Sequence, residues 1–293
     1  MQPVSLRFST LPSLWSALPR VLIGRRPALV PSGHTVPPID ARIERLGVNT
    51  SHLRDYRRVC GFGEDGHLPL TYPHVMAMPL QLAMLTSDAF PVRLLGLVHV
   101  RNLIRSHARI PEGHALDVTC SLSGHRETER GQEFDMVTEC RAEGTTAWSE
   151  VSTFLARRAR PRDAEKPRGP KPAETQDTPD AVSTTSWQAP ADIGRRYASV
   201  SGDFNPIHLA DLSARLFGFD SAIAHGMWSL ARTVAELGAK EQGPVAIEAS
   251  FKLPIHLPAW VNLHHWQTDK GRAFILKDAP GIKPHMTGSF ERL

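Results

Sequence analysis

Hydrophobic and polar positions change their period along this chain, and the changes mark out its elements. From Gly226 to Leu237 the apolar residues Met227, Leu230, Ala231, Val234 and Leu237 recur at the helical period, and Gly238 stands where a C-terminal cap belongs. Four strand-like stretches follow, Val245–Leu253, Trp260–Trp266, Ala273–Lys277 and Lys283–Glu291. Ahead of the helix, Ser183–Gln188 reads as a short strand and Pro190–Val200 as a helix ending near Gly202, with Pro190 close to its N1 position. Leu209–Phe217 reads as a second short helix, stopped by Gly218. A helix followed by an antiparallel meander buries itself if the sheet wraps around the helix.

The first half repeats this order with weaker local signals. Tyr72–Leu85 is apolar nearly all round, as a helix enclosed by a sheet should be. Pro73 or Pro79 is expected in its first turn, because an interior proline costs about 3 kcal/mol. Strands are expected at Leu94–Ile104, Ala115–Ser123, Glu133–Ala142 and Ala147–Ala156. Two successive helix-plus-meander units predict an α+β duplication, with no sequence-level repeat beyond the shared order. From Arg157 to Ser183 the chain is rich in proline and charge and lacks periodicity, the signature of a semi-extended linker. The expected division is 1–157, then a linker 158–183, then 184–293.

Composition narrows the function classes. The chain has 293 residues, 41% of them hydrophobic and 22% charged, as in ordinary globular proteins. A net charge of +4 suits an anionic ligand such as a coenzyme A or acyl-carrier phosphate. No basic stripe interleaved with aromatics appears, so nucleic acid is not expected. Cys60, Cys120 and Cys140 are odd in number and lack C-x-x-C spacing, so free thiols in a reducing cytoplasm are expected. The fourteen histidines show no H-E-x-x-H spacing, and a metal is not expected. No apolar run is long enough to span a membrane. The first 39 residues hold no acidic residue but do hold Arg7, Arg20, Arg25 and Arg26, and Leu11–Ile23 is partly amphipathic. That pattern fits an arm packed on the body, a mitochondrial transit peptide, or a stretch that touches an anionic membrane surface.

Chemistry concentrates in one segment. Asp203 and His208 are five residues apart in Ser201-Gly202-Asp203-Phe204-Asn205-Pro206-Ile207-His208, and Ala224-His225-Gly226-Met227 follows. A carboxylate and an imidazole can hold a water between them, while the Gly226 N–H at a helix start can face a developing oxyanion. Plainer readings exist for each residue. Asp203 could be a turn former, His208 a satisfied buried histidine and Gly226 a close-packing glycine. Asn205 is expected to brace the loop, His225 to act as scaffold, and Tyr197 to line a wall or touch substrate. Lys252 reads as a solvated strand lysine or a phosphate contact, and Phe251, Leu253 and Trp228 as acyl-pocket wall or core.

At these residues the chain resembles the MaoC-like acyl dehydratases, the hydratase 2 family that includes (R)-specific enoyl-CoA hydratases. The resemblance rests on Tyr197, on the Ser201–His208 and Ile223–Met227 blocks, and on Phe251-Lys252-Leu253-Pro254. It implies a hotdog fold, in which a sheet wraps a central helix, and here a double hotdog with a degenerate N-terminal copy. It also implies Asp203, His208 and Gly226 as the functional residues, and an (R)-specific 3-hydroxyacyl-thioester dehydratase or trans-2-enoyl-CoA hydratase without a separate cofactor. The N-terminal half departs from the pattern: no aspartate there has a histidine five residues later, and Tyr72-Pro73-His74-Val75 stands in place of Ala-His-Gly-Met. One active site per chain is therefore expected, with the degenerate half shaping the acyl tunnel. A hotdog thioesterase and a non-catalytic acyl-thioester-binding subunit are the alternatives. An acyl-carrier protein is a candidate partner, and both monomer and homodimer fit a chain that carries its own second copy.

Overall fold

The computed structural model describes residues 3–14, 26–158, 182–238 and 243–293. Most of the expected linker and of the amphipathic stretch Leu11–Ile23 lies outside the described residues. Strands β1 (Val4–Phe8), β2 (Ile39–Leu46), β3 (Leu97–Ser106), β4 (Leu116–Leu122), β5 (Arg126–Thr128), β6 (Gly131–Ala142) and β7 (Thr145–Arg157) belong to the first half. Strands β8 (Ser183–Ala189), β9 (Val245–Phe251), β10 (Ala259–Thr268), β11 (Gly271–Asp278) and β12 (Pro284–Arg292) belong to the second. Helices are α1 (Thr50–Cys60), α2 (Tyr72–Thr86), α3 (Ile193–Ser201), α4 (Asp211–Arg215) and α5 (Gly226–Leu237), with a 3-10 turn at Pro206–His208.

All twelve described strands join one sheet, in the order β1-β2-β4-β6-β7-β3-β9-β12-β11-β10-β8, with β5 beside β6. Its midpoint is the antiparallel β3–β9 pair, which registers Arg101 with Ser250 and Ile104 with Ile247. Read outward from that pair, the halves run β3-β7-β6-β4-β2 and β9-β12-β11-β10-β8, the same connectivity twice. Each half wraps one helix. α2 packs on β2, β4 and β6, and buries Val75, Ala77, Leu80 and Met84. α5 buries Met227, Leu230, Ala231, Val234 and Leu237, and Arg272 of β11 donates to its last carbonyl at 2.6 Å. This is the α+β duplication that the pattern of elements implied and the double hotdog that the family resemblance implied.

Several local features differ from expectation. Pro73 sits in the first turn of α2, whereas Pro79 lies inside the helix, where it leaves one carbonyl without its helical partner. Pro190 precedes α3, which begins at Ile193 after a turn in which Ile193 N–H bonds Pro190 O at 3.1 Å. Leu209–Phe217 contains only the five-residue α4. Ile39–Leu46 and Thr50–Cys60 were not foreseen. Yet Ile39, Ala41 and Ile43 alternate with Asp40, Arg42 and Glu44, and Asn49 and Gly61 cap α1 at its two ends. Part of the basic N-terminal arm belongs to the body: Val4–Phe8 runs parallel to β2, and Arg26 donates to the carbonyls of Leu85 and Thr86 at the end of α2. No helix among the described residues is long and apolar enough to cross a membrane.

Candidate active site

Backbone geometry brings Asp203 and His208 together. Gly202 takes a left-handed conformation, φ 77°, and ends α3, so the chain turns sharply into the loop that carries Asp203. Asn205 N–H donates to Asp203 Oδ1 at 3.1 Å, and Asn205 Oδ1 accepts from Ile207 N–H at 3.4 Å and starts the 3-10 turn. Asn205 therefore braces the loop. The turn ends on His208, whose Nδ1 lies 2.7 Å from Ile223 O, while Ile223 N–H donates to Ile207 O at 3.1 Å. These two bonds clamp the loop to the segment entering α5. Gly194 permits the fit, because a Cβ there would lie 1.8 Å from the His208 carbonyl oxygen.

A carbonyl only accepts, so the His208 hydrogen lies on Nδ1 and Nε2 keeps its lone pair. Burial lowers the His208 pKa below 6.5, against the opposing pull of Asp203 and the Ile223 carbonyl. Burial would raise the Asp203 carboxyl, but the His225 and His208 imidazoles and the Asn205 N–H outweigh it and hold it below its ordinary value. The Asp203 side chain is 38% exposed, on the wall of a cavity. An ionised carboxylate and a neutral imidazole base thus face one space.

His225 is the platform beneath them. It is buried, its ring stacks on His208 with centroids 3.7 Å apart, and its Nε2 donates to the Asp203 carbonyl at 3.0 Å. Burial and then the neighbouring His208 push its pKa down to about 3. Gly226 follows as the first residue of α5. Among the described residues no group accepts from its N–H, and the helix dipole adds to its pull on an anion. A Cβ on Gly226 would meet the Phe251 ring at 3.0 Å. Phe251 itself packs edge-on against His99 at 5.0 Å. Tyr197 is buried, 5.0 Å from the His225 ring, with its hydroxyl unpartnered. Lys252 is exposed at the rim.

Nine of the ten residues singled out in the sequence (Tyr197, Asp203, Asn205, His208, His225, Gly226, Phe251, Lys252 and Leu253) line one cavity of about 510 Å³. Trp228 does not line it; its indole crosses to the other half and donates to Val59 O at 3.1 Å. Residues 167–279 match the family model described as a MaoC like domain. Over 291 residues the chain is 32% identical to 3-hydroxyacyl-thioester dehydratase X of Mycobacterium tuberculosis, covering 97% of this chain and 100% of that protein.

The chain belongs to the MaoC-like dehydratase family.

The crystal structure of HtdX from the same bacterium superposes with a TM-score of 0.74 at 30% identity, over 87% of this chain and 100% of that one. A MaoC-like dehydratase from Phytophthora capsici shares the fold, with a TM-score of 0.69 at 16% identity over 88% and 95%.

Within this MaoC-like site, Asp203, His208 and His225 each offer one potential metal-ligand atom, all within 4.8 Å of one another. They fit a cation poorly. Nδ1 of His208 and Nε2 of His225 are committed to carbonyls, and the two stacked rings hold their remaining lone pairs in nearly parallel planes.

The first half supplies the other wall of the cavity, as expected of a half that shapes an acyl tunnel, but the sequence did not single out the residues that form it. His74, Met78, Gln81, Leu82 and Leu85 of α2 fall on one helical stripe along it, and His99 of β3 faces it beside them. The available signal was two polar residues, His74 and Gln81, on one face of an otherwise apolar helix. A second missed signal is a repeat. Tyr56, Gly61 and His67 have the spacing of Tyr197, Gly202 and His208, and Gly61 ends α1 in the same left-handed conformation, φ 80°. Phe62 stands where the second copy has Asp203, and it stacks on Tyr56 at 6.1 Å. The first copy has the scaffold of the motif but no carboxylate at the position of Asp203.

Proposed function

We propose that this protein is an (R)-specific 3-hydroxyacyl-thioester dehydratase, equally a trans-2-enoyl-thioester hydratase, with one active site in its C-terminal half. The observation that carries the reading is the pairing of an ionised Asp203 with a lone pair on His208 Nε2 at one cavity wall, beside the free N–H of Gly226. Family membership makes the protein a hydro-lyase of acyl thioesters; the roles of individual residues are our assignment.

In hydration, Asp203 and His208 hold one water over the β-carbon of the enoyl thioester. As its oxygen bonds to that carbon, one water proton passes to the pair, and the pair returns one proton to the α-carbon on the same face. Acid–base work of this kind contributes roughly 10²–10⁴-fold. Meanwhile negative charge grows on the thioester oxygen, where the Gly226 N–H donates; such a donor is worth about 3 kcal/mol. Dehydration is the reverse. His225 and Asn205 position the pair, Tyr197 and Phe251 shape the wall, and Lys252 is placed at the rim for a phosphate of the carrier.

The reaction asks for no cofactor beyond coenzyme A or the phosphopantetheine of an acyl-carrier protein, which arrives with the substrate. Three buried free thiols fit a reducing compartment, and we assign the cytoplasm. The halves 1–157 and 184–293 pair within one chain, so a monomer already holds a complete site. Incubation with trans-2-enoyl-CoA, followed by chiral analysis and a free-thiol assay, tests the reading. The expected product is the (R)-3-hydroxyacyl thioester with the carrier still attached. Stoichiometric thiol release would make the protein a thioesterase instead, and tight acyl-thioester binding without turnover would make it a binding subunit.

A further inference from the structure

The half that lacks the Asp/His motif nevertheless places charge in the shared cavity. His74, at the start of α2, is only 3% exposed, and its Nδ1 lies 2.9 Å from a carboxylate oxygen of Glu150 on β7. Glu150 is itself buried, and its other oxygen accepts from Asn102 Nδ2 at 2.6 Å. Burial opposes a charge on each member, but mutual attraction prevails: His74 is raised and Glu150 lowered from their ordinary values. His74 Nδ1 is thus committed to Glu150, while no protein group among the described residues pairs its Nε2. That nitrogen belongs to a residue lining the same cavity as Asp203, whose charge also raises His74.

Two features mark this as more than core packing. Desolvating an ion pair costs more than filling the space with apolar side chains, so its presence against an acyl cavity calls for a reason. Second, β3 departs from regular pairing between His99 and Arg101, a register shift that brings His99 to the cavity beside His74, with ring centroids 6.3 Å apart. Seven residues along the same stripe, Gln81 is also buried and lines the cavity, with its amide nitrogen bonded to Thr138. A plain hydrocarbon chain lying along this stripe would cover a charged donor without pairing it.

Building on the dehydratase reading, we propose that His74 is a specificity residue that donates through Nε2 to an oxygen carried by the acyl chain beyond its reacting α- and β-carbons. The substrate class is then an oxygenated acyl thioester, with a hydroxyl or carbonyl past the β-carbon. Discrimination of this kind is strong because a site built to hydrogen-bond a group is penalised when the group is missing.

The test compares kcat/KM for length-matched trans-2-enoyl-CoA substrates, one unsubstituted and others with a hydroxyl or ketone at successive positions past the β-carbon. Wild type should favour one oxygenated member by about tenfold or more. The double variant His74→Leu/Glu150→Leu removes the pair without stranding either charge and should bring that ratio close to one. If the double variant does not fold, His74→Gln, which keeps a hydrogen bond towards Glu150 but not the charge, should lower the same ratio. A flat wild-type profile, or a preference that survives in the folded variant, would overturn the proposal and leave the dehydratase reading intact. Failure to hydrate any enoyl thioester would overturn that reading, and this proposal with it.

Discussion

The carbonyl of Ile223 decides which nitrogen of His208 can act as a base. With Nδ1 donating to it at 2.7 Å, Nε2 is free to take a proton only while the ring is neutral. Burial lowers the pKa of His208, and Asp203 also lies below its ordinary value, so both are deprotonated in the free enzyme at neutral pH. Activity should therefore hold below pH 6.5 and fall only as pH drops through the lowered His208 value. A pH profile of kcat/KM checks this, and an acid limb above 6.5 would contradict it. Gly226→Ala should drive a methyl group against the Phe251 ring, displacing the wall next to the oxyanion donor. We expect kcat/KM to fall by tenfold or more with little change in Tm, measured side by side on the purified variant.

At the scale of elements, α5 and α2 play unequal parts. α5 presents its N-terminus to the cavity, whereas α2 presents a side: His74 and Leu85 stand eleven residues apart, roughly 16 Å along the axis. An acyl chain following that stripe would reach Leu85 only if it were long. Leu85→Trp should thus lower the ratio of long-chain to short-chain turnover several-fold, measured on an enoyl-CoA length series; an unchanged ratio would place the chain elsewhere.

The same two helices show what was legible in the sequence. α5 could be read to the residue, because its apolar period is clean and glycines mark both its start and its cap. The edges of α2 were read to within a residue, with Pro73 and Pro79 both open for its first turn, but its chemistry was not legible, since His74 acquires meaning only through Glu150, 76 residues away. α1 was overlooked although its caps were present, because Phe62, at the position equivalent to Asp203, leaves no motif to draw attention to it. Asp203, His208 and Gly226 were legible because they stand in the separated blocks that carry the family resemblance; the rest of the cavity wall is a product of pairing across β3 and β9.

For the whole molecule, the buried histidines set an acid boundary. His225 is pushed down to about 3 and His99 to about 4, in both cases chiefly by burial. Unfolding returns each to about 6.5, so between that pH and the folded value the unfolded state binds more protons. Stability therefore rises with pH across this window and is lost on acidification, by up to about 1.4 kcal/mol per pH unit for each histidine. His74 acts in the opposite sense. Its raised value adds stability that is fully present below pH 6.5 and is lost as pH rises through the folded value. Chemical denaturation at pH 7, 6 and 5 should show decreasing free energy of unfolding, with a shallower slope in His225→Gln. Equal stability at all three values would contradict the burial of these neutral rings.

The claim that unites these scales is that one carboxylate and one imidazole, held by the second copy, perform the chemistry of the chain. The most direct measurement is the loss of enoyl absorbance of trans-2-enoyl-CoA with wild type, Asp203→Asn and His208→Ala, after circular dichroism has established that all three are folded. Each variant should lose roughly 10²–10⁴-fold in rate. Near wild-type turnover in either variant would contradict the assignment.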